Sequence, residues 1–561
     1  MRCDEFYREY LNIQNPYEFQ VKTWQLIQEP KFPLLIKAPG GSGKTEAVVA
    51  PFLAQFVKNE FSLAPRLIYT LPIRALANTI AKRIEKYAKR ISQKISVNVQ
   101  HRDVHNSPFF IGDIIVTTLD QFLYGFARTS MQVGHHIDIP AGSIASSFVV
   151  FDEAHMYRDS FTFSIMRALM EILYESKVPF VVMTATMPDS LEESLFENIG
   201  KQDVNAIDNI PSFSKIDIKF SEEPLYAGEV NICDQILSKI KHKKTLIVLN
   251  QVKRAQKVYD EINKRLALNN SGIVLLHSRF TKVDREQHED IATSLLPRKD
   301  DGEIKTPKGI GIVVSTQVLE AGIDFSAELL LTELAPADSL VQRAGRCARY
   351  QGEIGEMIIF PTEKENKGYL PYEKEPIERT REWLRSNPNF NIKDFNQVRS
   401  FVNETLNYRA NDYEARDTLI DLYECVLYAD SEPRNIQLRK SKPVTLVVLD
   451  IPDRSDKKVR EKIKEIVLQA KTPIIKENSI NIDTGIAWSL FKDKNRPIQW
   501  KIKWKYNPKE KSNELCIIDL FKNKKKPDEE DARIEPFRTY IIDNKYYKHD
   551  KGIERDVSFI I

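Results

Sequence analysis

Between Leu34 and about Phe360, short apolar runs rich in Val, Ile and Leu alternate with longer stretches whose apolar positions recur at helical spacing. That rhythm predicts parallel sheets covered by crossover helices, because a strand buried on both faces has no polar side to show. Leu34–Lys37, Arg66–Tyr69, Asp113–Val116, Phe148–Phe151 and Phe180–Met183 are the predicted strands of one sheet, which ends near residue 205. Thr245–Leu249, Gly272–Leu276, Gly311–Val314 and Leu329–Thr332 supply a second. Between the two sets, Asp208 to Glu229 is more polar, carries Pro211 and Pro224, and reads as a linker with the role of a hinge. Beyond Pro361 the chain turns charge-rich and then, from 395 to 429, mainly helical. Strand-like runs return at Val444–Leu449, Leu515–Ile518 and Thr539–Ile542. The expected organisation is α/β: a first sheet domain over 1–207, a second over 208–361, a helical connector over 362–442 and a small C-terminal accessory domain over 443–561.

Composition narrows the class without naming a function. At 561 residues the chain is long enough for roughly three to four domains. Lys and Arg number 82 and Asp and Glu 79, so the net charge of +3 makes no case for a polyanion partner, and any nucleic-acid site must be a local patch. The five cysteines are far apart and form no C-x-x-C pair, which points away from zinc or a disulfide framework and toward a reducing cytoplasm. Neither a signal-peptide layout nor an apolar run of membrane length is present, so a soluble cytoplasmic protein with no membrane partner is expected. The neighbouring Lys524–Lys526 and Glu529–Asp531 clusters read as a solvated loop.

The first candidate chemistry follows the strand at Leu34. Ala38 to Thr45 spells A-P-G-G-S-G-K-T and runs into a helical stretch, which is the strand, loop and helix order of a phosphate-binding loop. Gly40, Gly41, Ser42 and Gly43 would turn backbone N–H groups around phosphate oxygens, Lys44 would set a cation on the outer phosphates, and the Thr45 hydroxyl would ligate Mg2+. Ala38 stands where the general pattern has Gly. About a hundred residues on, Phe148–Phe151 ends in D-E-A-H, Asp152 to His155, placing two carboxylates at a strand tip. Asp152 is the candidate magnesium ligand and Glu153 the candidate base for the water attacking a γ-phosphate.

Further strings follow in order: T-L-P-I-R-A-L-A at Thr70–Ala77, V-T-T-L-D-Q at Val116–Gln121, T-A-T at Thr184–Thr186, S-T-Q-V-L-E-A-G-I-D at Ser315–Asp324 and Q-R-A-G-R-C-A-R at Gln342–Arg349. As a set they resemble the motifs of superfamily 2 DEAH helicases, which implies two tandem RecA-like domains using ATP and Mg2+. By that resemblance Thr70, Pro72, Arg74, Thr117, Thr118, Asp120, Ser315 and Thr316 contact nucleic acid, and Thr184 and Thr186 couple hydrolysis to movement. Gly322 and Asp324 join the nucleotide site. Gln342 positions water, and Arg346 and Arg349, expected on one helical face, serve as arginine fingers. The glutamine that reads the adenine edge is Gln20, with Gln25 a competing candidate.

The wording of Ala321–Arg349, together with A-P-G-G-S-G-K-T-E-A and D-E-A-H-M-Y, resembles the CRISPR-associated type I helicase, the Cas-three family, over roughly residues 15 to 360. The resemblance implies a motor moving 3′ to 5′ on single-stranded DNA and recruited by the RNA-guided Cascade complex. Many relatives begin with a metal-dependent HD nuclease, whereas about 33 residues precede the first strand here, so the stand-alone form with a separate HD nuclease subunit is expected. His101 and His105 around Asp103, and the pair His549–Asp550, read as incidental polar residues. Trp500–Tyr506 alternates aromatic or apolar with lysine; a base-stacking strand beside a basic rail is one reading, and a half-buried strand with its aromatic face in the core is preferred. Two other functions compete with the leading one: a superfamily 2 RNA or DNA-repair helicase outside CRISPR, and an idle nucleotide-binding scaffold, against which Lys44, Glu153, Arg346 and Arg349 together argue.

Overall fold

The structure is a computed structural model. It describes residues 2–561 except 102–103, 157–159, 207–213, 270, 301–302, 321–323, 364–367, 407–415, 422–423, 425–442, 452–457, 470–474, 476, 494–496, 508–511, 522–533, 537 and 554–561. The chain divides into two compact units, one of Met1–Phe213, Pro336–Val341 and Glu378–Lys440, the other of Ser214–Ala335, Gln342–Ile377 and Ser441–Ile561.

The first unit is built on an eight-stranded sheet of β1 (Leu34–Lys37), β2 (Arg66–Leu71), β3 (Val97–His101), β4 (Val104–His105), β5 (Ile114–Thr118), β6 (Ser147–Phe151), β7 (Phe180–Thr184) and β8 (Gln202–Asn205), in the order β4-β3-β5-β2-β6-β7-β1-β8. All neighbours are parallel except the β3–β4 pair. Every residue of β1, β5, β6 and β7 is buried, which is why these strands read as unbroken apolar runs. Register decides where the chemistry gathers. Lys37 pairs with Thr184, and Thr70 pairs with both Thr117 and Phe151, so the strands leading into the glycine loop, T-A-T, L-P-I-R and D-E-A-H end on one level. Ligands of open parallel sheets bind at that carboxyl edge.

The helix Phe395–Thr405, some two hundred residues further along, also packs in this unit. Arg399 forks onto Asp189 at 2.9 and 3.1 Å, and Asn403 both donates to Asp189 at 2.7 Å and accepts from its backbone N–H at 2.9 Å.

The second unit holds β9 (Lys215–Phe220), the short pair β10 (Tyr226–Ala227) and β11 (Glu229–Val230), then β12 (Thr245–Val248), β13 (Ile273–Leu276), the pair β14 (Arg298–Asp300) and β15 (Glu303–Lys305), β16 (Ile312–Ser315), β17 (Leu329–Glu333) and β18 (Ile354–Phe360). Its six-stranded sheet runs β13-β16-β12-β17-β18-β9 with all pairs parallel. The expected linker over 208–229 is therefore corrected: residues 207–213 lie outside the described residues, but Lys215–Phe220 is the edge strand of this sheet. An edge strand exposes part of both faces, so its burial alternates with polar positions and its sequence looks like a loop.

The C-terminal residues form a five-stranded sheet of β19 (Pro443–Leu449), β20 (Ser479–Asp483), β21 (Ile498–Asn507), β22 (Ser512–Asp519) and β23 (Thr539–Asp543), ordered β20-β19-β23-β21-β22. Val444, Leu446, Ile480, Tyr540 and Ile542 share one hydrophobic cluster with Ile247, Leu275, Val314 and Leu331, and Ala255, Val258, Ala487 and Leu490 of the helices Val252–Arg265 and Thr484–Lys492 belong to the same cluster. In β21, Trp500 and Ile502 are buried as the core reading requires. Lys501 is buried too and bonds Glu535 at 2.7 Å, so it does not belong to an exposed basic rail. The side chains of Trp504 and Tyr506, and the clusters near 524 and 529, lie outside the described residues.

Candidate active site

The loop after β1 turns on glycine. Gly43 has φ +88°, and a Cβ there would stand 2.5 Å from the Gln20 amide nitrogen, so this position needs a residue without one. Gln20 is buried in the helix Glu18–Gln28; its Nε2 donates to the Gly43 carbonyl at 3.0 Å and its Oε1 accepts from the Tyr17 N–H at 2.9 Å. Gln25 is exposed on the same helix, so only Gln20 is brought against the loop. The Lys44 ammonium is buried and donates to the carbonyls of Ala38 and Pro39 at 3.0 and 3.1 Å, while Ser42 closes the loop through a 2.8 Å bond to Pro39. Gly40 and Gly41 have open space where a Cβ would stand, leaving their backbone approachable.

Thr45, at the start of the helix Lys44–Lys58, and Asp152, just past β6, are joined through a residue that sequence reasoning passed over. Tyr69 in β2 donates its hydroxyl to Asp152 Oδ2 at 2.6 Å and lies 3.3 Å from Thr45 Oγ1. Its one proton is committed to the carboxylate, so Thr45 is the donor in the second bond. Burial first, and the Glu153 charge second, push the Asp152 carboxyl up to about 6, against the pull of Lys44 and Tyr69. Two buried hard oxygen groups held one hydroxyl apart beside a lysine suit Mg2+ with a phosphate.

Glu153 adopts φ +52° and remains partly exposed, and its backbone N–H donates to Asp152 Oδ1 at 2.8 Å. Of the two carboxylates of the pair, Asp152 is thus buried while Glu153 keeps some access to solvent. His155 stands 3.5 Å from Glu153 Oε2 and 3.2 Å from the Thr184 hydroxyl, and the Thr184 carbonyl accepts the Ala38 N–H at 3.2 Å. Thr186 donates its backbone N–H to Thr184 Oγ1, and its own hydroxyl is buried without a hydrogen-bond partner among the described residues.

The helix Ala337–Ala344 stops before the expected fingers. Gly345 and Arg346 form a turn, Cys347 bridges Ala327, and Ala348 has φ +43°, so the single helical face expected for Arg346 and Arg349 is corrected. Arg346 bonds the carbonyls of Leu319 and Glu320 at 3.1 and 3.3 Å. Arg349 pairs with Asp324 at 2.7 Å. Gln342 has a buried Oε1 with no partner among the described residues, and Gly322 lies outside them. Between these groups sits Arg343, fully buried and missed in the sequence, which bonds Glu320, Thr332, Glu333, Asn250 and Tyr372 at 2.9 to 3.0 Å. Its place in Q-R-A-G-R was the available signal; an apolar-face test would not have placed a cation in the core.

The expected nucleic-acid residues fall into two groups. Thr70, Thr117, Thr118, Ser315 and Thr316 are buried at the carboxyl ends of β2, β5 and β16. The Thr117 hydroxyl bonds the Gln100 carbonyl at 2.8 Å and the Ser315 hydroxyl the Leu276 carbonyl at 3.0 Å, so both are turned inward. Arg74 and Asp120 are partly exposed, and Pro72, two positions before Arg74, is buried. His101 bonds Asn78 and His549 bonds Asp284. Among the described residues no group of three or more His, Cys, Asp or Glu is placed to hold a metal ion, and no helix is long and apolar enough to cross a membrane.

Two parallel-sheet units, the first with a glycine loop and D-E-A-H at one sheet edge, form a tandem RecA-like α/β architecture. A DEAD/DEAH box helicase model matches residues 17–194, and the C-terminal model of the CRISPR-associated nuclease/helicase Cas3 matches 241–352. The chain resembles the CRISPR-associated helicase Cas3. It is 28% identical over 464 residues to the CRISPR-associated helicase Cas3 of Thermoproteus tenax, covering 78% of this chain and 76% of that one. It spans about half the length of other curated Cas3 relatives that it matches. The T. fusca Cas3–ADP crystal structure superposes with a TM-score of 0.65 at 19% identity, covering 87% of this chain and 66% of that one. A chain in a CRISPR RNA-guided surveillance complex, pre-nicking, superposes with a TM-score of 0.60 at 19% identity, covering 97% and 68%.

Proposed function

We propose that this protein is an ATP-driven translocase that pulls single-stranded DNA 3′ to 5′ and unwinds target DNA in type I CRISPR interference. The observation that carries the ATPase part is the Thr45–Tyr69–Asp152 chain beside Lys44, with the partly exposed Glu153 next to Asp152 in the chain. Lys44 holds the outer phosphates, Thr45 and Asp152 hold Mg2+, Gln20 reads the adenine, and Glu153 takes the proton of the attacking water. When bound, Mg2+ offsets the charge that builds on the phosphate oxygens. Arg346 and Arg349 add positive charge at the transition state, Gln342 orients the water, and Gly322 and Asp324 complete the nucleotide contacts. The Thr184–Thr186 segment, tied to both D-E-A-H and the glycine loop, passes the change on. In this reading 1–207 and 208–361 are the motor domains, 362–442 the connector and 443–561 the accessory domain, working in the cytoplasm.

The CRISPR part rests on the resemblance to Cas3, and recruitment by a Cascade-type RNA-guided complex on the likeness to a chain of a surveillance complex. We assign cleavage to a separate HD nuclease subunit, because a metal nuclease clamps its ions with several ligands and His101 and His549 are engaged elsewhere. The test is ATP turnover and strand displacement by the purified chain with DNA or RNA of one sequence, since the 2′-hydroxyl separates the two substrates. Stimulation by single-stranded DNA, lost in Lys44→Ala and without cutting of the strand, is expected. Stimulation by RNA alone would favour the RNA-helicase reading, and metal-dependent cutting retained in Lys44→Ala would place a nuclease in this chain.

A further inference from the structure

We propose that Tyr372 is a positioning residue that sets the Arg346 guanidinium through Glu320, an assignment that rests on the ATPase reading above. After β18 the chain lies back on its own unit. Glu363 and the Gly368 carbonyl receive Arg254, each at 3.2 Å, the Leu370 carbonyl receives Gln251 at 3.3 Å, and the Tyr372 hydroxyl receives Arg343 at 2.9 Å. The same hydroxyl stands 3.3 Å from Glu320 Oε1, which also accepts Arg343 Nε at 3.0 Å. Donor and acceptor are thus assigned: Arg343 donates a hydrogen bond to the Tyr372 hydroxyl, and that hydroxyl donates one to Glu320.

The segment so fastened is the one that holds Arg346. Gln317–Leu319 is a single 3-10 turn, too short to fix its own geometry. It is held at its start by Gln317 bonding the Asn250 carbonyl at 2.9 Å and at its end by the Glu320 carboxylate. The carbonyls of Leu319 and Glu320 receive Arg346 Nε and NH2. Glu320 therefore links two things through one residue: its side chain answers to Tyr372 and Arg343, and its backbone answers to Arg346. Arg343 is nearly inaccessible and bonded on every nitrogen, so it cannot swing to compensate if the Tyr372 hydroxyl is lost. Tyr372 lies outside all the motif strings, and its role comes from the fold alone.

The test is a double-mutant cycle on the full chain with steady-state ATP turnover, measured well below the melting temperature of each variant. Tyr372→Phe keeps the ring and removes only the hydroxyl; kcat should fall roughly tenfold with KM for ATP unchanged, the size of one hydrogen bond acting at the transition state. In an Arg346→Ala background the same change should have no further effect, because the group it positions is gone. A fall in kcat of equal size in both backgrounds, a change confined to KM, or no change with Arg346→Ala itself impaired overturns the Tyr372 assignment and leaves the ATPase reading standing. Full activity of Arg346→Ala overturns the finger role of Arg346 and the Tyr372 assignment with it, whereas the ATPase reading falls only if the wild-type chain fails to turn over ATP or Lys44→Ala keeps full turnover.

Discussion

His155 Nδ1 lies 3.2 Å from the hydroxyl of Thr184, and the same ring nitrogen is 3.5 Å from the carboxylate of Glu153. One imidazole therefore touches the carboxylate assigned to the attacking water and the first threonine of T-A-T. We propose that this ring carries a change at Glu153 to Thr184. We expect His155→Ala and Thr184→Ala to lower strand displacement far more than ATP turnover. Equal loss of both activities would show that the contact is only structural.

Lys44 and Glu153 should separate binding from chemistry. Lys44→Ala removes the phosphate cation and should weaken nucleotide binding, whereas Glu153→Gln keeps the phosphate contacts and should bind ATP while failing to turn it over. Fluorescent-nucleotide titration beside a phosphate-release assay reads both, and equal loss of affinity in the two variants would contradict the roles.

Arg346→Ala and Arg349→Ala should slow hydrolysis on the order of 10³-fold, by arginine-finger precedent, with little change in ATP affinity. Arg349 carries the sharper test because its present partner, Asp324, is an exposed carboxylate. Wild-type turnover in Arg349→Ala would remove it from the site.

Tyr69→Phe should raise the Mg2+ concentration needed for half-maximal turnover by roughly 10-fold, the usual effect of losing a group that orients a ligand. The substitution leaves the buried Asp152 carboxylate without its side-chain donor. A magnesium titration identical to wild type would show that Tyr69 does not orient the ligand.

Glu356 makes a prediction about acid stability in the second unit. Burial pushes its carboxyl up, but hydrogen bonds from Lys239, Lys243 and Lys219 outweigh it and hold it at about 2, below the ordinary 4.5. A lowered carboxylate stabilises the fold above its unfolded pKa and loses that contribution as pH falls from about 4.5 toward 2. Allowing for screening of the half-exposed lysines, the contribution near neutral pH is about 2 kcal/mol. Glu356→Gln should melt lower at neutral pH, and its melting temperature should fall less steeply with acid than that of wild type. Parallel acid profiles for the two proteins would sink the assignment.

The doubly buried strands were legible from the chain alone because a strand covered on both faces must be apolar throughout, as β1, β5, β6 and β7 are. The glycine loop and D-E-A-H were legible because their spacing has a chemical purpose: Gly43 leaves room for Gln20, and Asp152 and Glu153 follow directly on the end of a strand. Three kinds of fact waited for the tertiary structure. Lys215–Phe220 became a strand only through its pairing with β18, since an edge strand carries no unbroken apolar signature. Arg346 and Arg349 were expected on a helix by spacing, but the turn at Gly345 and the left-handed Ala348 set them on irregular backbone, which no periodicity describes. Tyr69, Arg343 and Tyr372 are single polar side chains whose partners lie between 10 and 93 positions away, and only the folded chain brings those partners within hydrogen-bond distance. Local patterns record what each segment buries; they do not record what it meets.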